Sequence, residues 1–224
     1  MALTKEVYTL VKALDAGYQY RPEQMLRFFL SEIMDTWGLE PWERAPEPMR
    51  DQVWQAIGVY GTLVTRLGPF DDILGPVYME LASHGAKKPL GQFFTPFNIA
   101  KAMAMINIGP RPEEGQVIRS SDPTCGSGAM LLAFAQAALE DWGEDGLRQL
   151  ALMGIDLDLY CAQMCAVQLV ANCNLHQLRL SEVRVLQGNS LGPWEKLKTV
   201  LHATDPGEVV RAQGPTHDVE PATP

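Results

Sequence analysis

The sequence has no apolar run that approaches the thickness of a bilayer, no basic cluster longer than the pair Lys87-Lys88, and no cysteine spacing typical of zinc. The first absence argues against a membrane-spanning helix. Met1 to Ala16 mixes charged with apolar residues and does not read as a signal peptide, so a soluble, cytoplasmic chain without a membrane partner is expected. The second absence bears on nucleic acid. With 18 Lys and Arg against 27 Asp and Glu, the net charge is −9, the wrong sign for tight, unaided binding to phosphates. Any contact with DNA is expected to be weak or indirect. The third bears on metal. Of the 4 cysteines, Cys161, Cys165 and Cys173 fall on one expected helix with His176 just beyond. Cys161 and Cys165 share a helix face while Cys173 is rotated away, so no metal is expected, and these together with Cys125 read as buried free thiols in a reducing compartment.

What is present is one good core's worth of apolar residues, or a small helical unit beside a second one, in 224 residues. The first part is helical. Glu6 to Leu14, Pro22 to Trp37, Glu47 to Leu67 and Asp71 to Ser83 carry apolar residues at helical spacing, with Met25, Phe28, Phe29, Ile33 and Met34 forming one stripe. Pro22 suits a first helical turn and Gly85 a helix end. The pattern then changes. Strands are expected at Gln116 to Ser120, Leu152 to Ile155 and Val183 to Leu186, separated by helices over Gly128 to Trp142 and Leu159 to Leu175. That β-α-β-α-β order is the mark of an α/β, doubly wound parallel sheet. From Asp205 to Pro224 too few apolar residues remain to offset the entropy of ordering, and a disordered tail is expected.

Between the first strand and its helix lies Asp122-Pro123-Thr124-Cys125-Gly126-Ser127-Gly128. Gly126 and Gly128 allow a tight turn and close approach of a ligand to the backbone, and the following helix offers unpaired N–H groups to an anion. Asp122 can accept from an ammonium group or orient the loop. A second acid, Asp156, ends the next strand in Gly154-Ile155-Asp156-Leu157-Asp158. A carboxylate there is placed to accept from both hydroxyls of a ribose. Leu157 can flank an adenine ring, and Asp158 can cap the following helix. A nicotinamide dinucleotide fits less well, because Leu131 stands where the third glycine of that fingerprint would be. An acid before the glycines favours a ligand with an amino group.

The motif Asp122-Pro-Thr-Cys-Gly-Ser-Gly128 resembles the cofactor loop of N6-adenine DNA methylases, especially the modification subunits of type I restriction systems. Gly91-Gln92-Phe93-Phe94-Thr95-Pro96 is similar to the segment that in those subunits closes over the methionine part of the cofactor. The resemblance covers about Asp71 to Leu191. It implies a partial Rossmann-like, S-adenosylmethionine-dependent methyltransferase fold over residues 91–204, preceded by a helical N-terminal region, residues 1–90. It also implies S-adenosyl-L-methionine as cofactor. Thr95 and Asp122 would meet the methionine end, Thr124, Cys125, Gly126 and Gly128 form the loop, Asp156 binds the ribose, and Leu157 flanks the adenine. Asn189 stands where the family usually has an acid for the adenine amine; its amide oxygen can accept, or it can serve as a turn asparagine. Taken without the resemblance, Thr95 is a helix cap, with Pro96 in the first turn of a helix from Phe97 to Ile108.

The family's Asn-Pro-Pro-aromatic tetrapeptide, which holds and stacks an extruded adenine, is absent from the sequence. Thr199 to Ala203 is expected as a poor fourth strand, and Asp205-Pro206-Gly207-Glu208 stands where the tetrapeptide would follow. A turn is the expectation there, and no catalytic residue is assigned. Half the sheet is expected to lie beyond this point, which would leave the first strand as an unpaired edge beside the cofactor. Three readings follow: a cofactor-binding protein unable to methylate alone, a pseudoenzyme in isolation; a subunit of an active adenine-N6 methyltransferase completed by a partner chain; or a non-catalytic interaction or anti-restriction protein. The expected partner is a second copy, or a second methyltransferase or specificity subunit.

Overall fold

A computed structural model describes residues 5–17, 19–85 and 94–204. Gly91, Gln92 and Phe93, the turn expected at Asp205 to Glu208 and the disordered tail expected to Pro224 lie outside the described residues. The helical part contains α1 (Lys5–Ala13), α2 (Pro22–Thr36), a 3-10 turn at Glu47–Met49, α3 (Arg50–Leu67) and α4 (Leu74–Gly85). The α2 stripe is buried as its spacing demands, with Phe29 fully enclosed and stacked edge-on against Tyr60 of α3. The α/β part contains α5 (Phe97–Asn107), β1 (Ile118–Asp122), α6 (Ala129–Leu147), β2 (Leu150–Asp156), α7 (Leu159–His176), β3 (Glu182–Gln187) and β4 (Lys198–Thr204).

Strand order is β1-β2-β3-β4, with β1, β2 and β3 parallel and β4 antiparallel to β3. A right-handed crossover repeated in one direction puts α6 and α7 on the same face of the sheet, and the two helices touch. α5 lies against α6 through Ala100, Ala104, Ala133 and Ala137, whose small side chains permit close approach. The main apolar core runs from Leu10 and Phe29 through Val64 and Leu74 to Leu131, Val167 and Val185, so the helical part packs directly on α7. The architecture is thus α/β and Rossmann-like, with a four-stranded sheet behind an N-terminal helical region.

Several boundaries depart from expectation for definable reasons. β1 begins at Ile118 and extends to Asp122, two residues later than its apolar pattern indicates. Pairing with β2 carries Ser120, Ser121 and Asp122 along, opposite Leu152, Met153 and Gly154, despite their weak strand preference. α4 starts at Leu74 rather than Asp71, because the backbone N–H groups of Ile73 and Leu74 are taken by the side chain of Gln168. Thr95 is not the cap of α5. Pro96 is, its carbonyl accepting from Ile99 and Ala100, and the helix runs from Phe97 as expected to Asn107, one residue short of the expected end. Helical geometry in α6 breaks at Gly143 (φ 69°), just past Trp142.

β4 forms where a fourth strand is expected and pairs antiparallel with β3, on the side of the described sheet away from β1. Its last residue, Thr204, lies opposite Glu182, the first residue of β3. Thr204 is thus at the amino end of the parallel strands, and a segment following it starts far from their carboxyl ends.

Candidate functional site

The carboxyl ends of β1 and β2 bring Asp122 and Asp156 to adjacent positions, with the glycine loop between them. Open parallel sheets bind ligands at this end. The loop turns through two left-handed glycines, Gly126 (φ 54°) and Gly128 (φ 93°), before α6 begins at Ala129. A side chain at either is strained by the left-handed backbone and crowded by a neighbour. A β-carbon on Gly126 would stand 3.0 Å from Phe94 Cδ1, and one on Gly128 would stand 3.0 Å from Cys165 Sγ.

Asp156 organises the surroundings. Its Oδ2 accepts from Gly126 N at 2.8 Å and its Oδ1 from Asp158 N at 2.9 Å, while its carbonyl oxygen accepts from Gly188 N at 2.8 Å. The ends of β1, β2 and β3 are therefore tied to one residue. Each carboxylate oxygen keeps acceptor capacity for a hydroxyl. Asp158 caps α7 as expected, accepting from Tyr160 N at 2.8 Å. Asp122 Oδ1 accepts from Thr124 N at 3.0 Å, which folds the loop back on its own acid. Burial pushes the Asp122 carboxyl above its ordinary range, against the Thr124 hydrogen bonds. Burial likewise raises Asp156, and the charges of Asp158 and Asp122 add to the rise. The hydrogen bonds from Thr124, Gly126 and Asp158 offset part of the rise that burial imposes on the two acids.

The other expected residues divide. Leu157 is 61% exposed, and its carbonyl is held by Gln187 Nε2 at 3.0 Å, so its side chain is presented to solvent at the end of β2. Cys125 is buried, its sulfur against Gly154 together with that of Cys165; it supports the loop from beneath. Thr95 is half-buried beside Phe94, whose ring lies over Gly126 and against Tyr78 of α4, centroids 5.2 Å apart. Asn189 folds onto its own turn: Oδ1 accepts from Leu191 N at 3.0 Å and the carbonyl from Gly192 N at 2.9 Å. The oxygen that would meet an adenine amine is already engaged once. Cys161, Cys165 and Cys173 are buried free thiols, and among the described residues no group of metal-ligating side chains comes together.

Sequence reasoning missed the residues behind the loop. Ser127, 1% exposed, meets Asp72 and Gln168 there. The available signal was polar residues (Gln163, Gln168 and Asn172) on a helix whose other positions are apolar and buried. An open groove of about 780 Å³ lies between α1 and α3, lined by Lys5, Thr9, Thr62 and Arg66 among others, and shares no residue with the loop or the strand ends. The loop chemistry, not the groove, identifies the candidate.

A crystal structure from Listeria monocytogenes, assigned as a class I S-adenosylmethionine-dependent methyltransferase, superposes with a TM-score of 0.50 at 12% identity, covering 85% of this chain and 55% of that one. The chain therefore spans little more than half the length of that relative. The methyltransferase subunit of a type I restriction-modification system from Streptococcus thermophilus aligns with a TM-score of 0.36 at 21% identity, over 79% of this chain and 38% of that one. No curated protein matches the sequence. Among the described residues, no helix is long and apolar enough to cross a membrane. The model of the N-6 DNA methylases matches residues 70–206, more than half of the 224 residues, and the chain belongs to that family.

Proposed function

We propose that this chain binds S-adenosyl-L-methionine at the carboxyl ends of β1 and β2, and that it does not transfer a methyl group by itself. The observation that carries this reading is the pair of carboxylates, Asp122 and Asp156, at the ends of neighbouring strands with the Gly126–Gly128 turn between them, held by Asp156 through Gly126 N. The residues fit the cofactor. Asp122 accepts from its ammonium group, Asp156 from its ribose hydroxyls, and the start of α6 faces its carboxylate. A ligand carrying ammonium and sulfonium charges relieves the electrostatic load on both acids. When bound, the cofactor supplies an electrophilic methyl group.

Methyl transfer to adenine N6 in DNA then needs groups that the 224 residues do not contain, the Asn-Pro-Pro-aromatic tetrapeptide above all. β1 is the edge of the described sheet beside the site, and an unpaired edge accepts a strand from another chain. A partner chain docked there completes the enzyme, and we place this assembly in the cytoplasm. A second reading, a non-catalytic interaction or anti-restriction protein, draws support from the net charge of −9, which suits a protein partner better than DNA.

The test is calorimetric titration of S-adenosyl-L-methionine into the full chain, with Asp156→Ala as control. Saturable binding weakened by the substitution supports the cofactor site; no binding at millimolar cofactor removes it. Methylation of adenine in DNA by the isolated chain would overturn the claim that it is inactive alone.

A further inference from the structure

The turn that leads into α4 is fastened to the α/β half by side chains. Gln136 Nε2 donates to the Pro69 carbonyl at 3.0 Å. Asn172 Oδ1 accepts from Phe70 N at 2.5 Å, where Phe70 is held at φ 63°. Gln168 Oε1 accepts from Ile73 N at 2.7 Å and from Leu74 N at 2.9 Å, taking over the start of α4 from outside. Its Nε2 points the other way, donating to Asp72 Oδ1 at 2.8 Å and to the Ser127 carbonyl at 2.9 Å. Asp72 also accepts from Gly75 N at 3.0 Å and, through Oδ2, from Ser127 Oγ at 3.4 Å.

Ser127 sits between the two left-handed glycines of the loop. Its hydroxyl and its carbonyl are both held by groups outside the loop, one from the entry to α4 and one from the middle of α7. Asp156 holds the same loop from its other side, through Gly126 N. Gln168 suits its place because an amide both accepts and donates; a carboxylate only accepts and an ammonium only donates. All the donors to Asp72 are neutral, and burial raises its carboxyl against them. Packing adds a second link: Tyr78 of α4 backs Phe94, which covers Gly126.

We propose that Asp72 and Gln168 form a positioning pair that sets the glycine loop through Ser127, so that docking of residues 69–75 onto α7 governs cofactor affinity. The inference rests on the cofactor reading above. Neither residue touches the cofactor; both act through the loop. Linkage makes the effect reciprocal: cofactor bound to the loop tightens the entry to α4.

The test compares the wild-type full chain with Ser127→Ala and Asp72→Asn by calorimetric titration of S-adenosyl-L-methionine, with far-UV circular dichroism to establish folding. Ser127→Ala removes one hydroxyl and is the variant that decides if Asp72→Asn does not fold. Each folded variant is expected to bind about tenfold more weakly, the equivalent of one buried hydrogen bond. Amide exchange supplies a readout that a merely structural role would not move. Cofactor is expected to slow exchange at Ile73, Leu74 and Gly75 in the wild type, and much less so in Ser127→Ala. If the wild type binds and folded variants bind equally well, with no slowing at those amides, this inference falls alone. If the wild type does not bind, the cofactor reading falls and takes this inference with it.

Discussion

Asp156 Oδ2 accepts from Gly126 N at 2.8 Å, so the acid ending β2 is tied directly to the glycine loop following β1. A substitution at Asp156 therefore acts twice, on a ligand hydroxyl and on the loop itself. Asp156→Asn keeps one acceptor oxygen but turns an NH2 group toward Gly126 N or Asp158 N. It is expected to lower stability by about 1–3 kcal/mol, the range for a buried donor left unpaired, and to weaken cofactor binding. Denaturant unfolding and calorimetry on the same preparation measure both; unchanged stability would show that the tether contributes nothing.

The raised carboxyls give the cofactor affinity a pH dependence of definite sign. Asp122 and Asp156 both lie above the ordinary value of 3.8 in the ligand-free fold. A carboxyl raised by folding adds stability while it is protonated, and that contribution is lost as pH rises through its folded pKa. A cationic ligand favours the charged form. Affinity is thus expected to strengthen as pH rises through the raised values and to weaken on acidification, with protons released on binding. Binding enthalpies compared in buffers of different ionisation heat detect that release. Affinity that strengthens as pH falls would contradict the assignment.

At Gly128, two effects forbid a side chain together. Its φ of 93° lies in the left-handed region, and a β-carbon would stand 3.2 Å from the backbone Cα of Cys165 as well as 3.0 Å from its sulfur. Gly128→Ala is expected to cost about 1–3 kcal/mol from backbone strain alone and to abolish cofactor binding. Gly115, also at positive φ but with nothing within 4 Å, is the control: Gly115→Ala carries the strain without the collision. Equal melting losses in the two variants would deny the contact with Cys165 any role.

Asp158 separates capping from binding. Asp158→Ala removes the acceptor for Tyr160 N and is expected to cost about 1 kcal/mol of stability, while Asp158→Asn costs little. Cofactor affinity is expected to stay within twofold for both, roughly the scatter of a neutral surface change. A large loss of affinity in Asp158→Asn would move the ligand-binding role from Asp156 to its neighbour.

Much of this arrangement could be read along the chain, because its signals are local. Helical periodicity marked α2 and α3, and alternation of strand with helix marked β1 to β3. The loop at Asp122 to Gly128 and the acid at Asp156 each sit next to the strand that positions them. What escaped is long-range. Gln168 and Asp72 lie 96 positions apart, and no spacing rule joins them. The late start of α4 is a consequence of that pair, so its boundary was misplaced for the same reason. β4 looked like a strand and is one, but its direction depends on which neighbour it chooses, and Val185 opposite Leu201 cannot be inferred from either segment alone.

The reversal of β4 also sets a travelling distance. Parallel strands of five to seven residues make a sheet about 17–23 Å tall. Thr204 stands at its foot, and the Gly126–Gly128 turn at its head. Any group delivered to the head by chain following Thr204 must first be carried up that height, about six residues of extended backbone. It must also cross from the β4 flank to the β1 flank. A group delivered by a strand laid parallel along β1 needs neither journey: it arrives already at the level of the two acids.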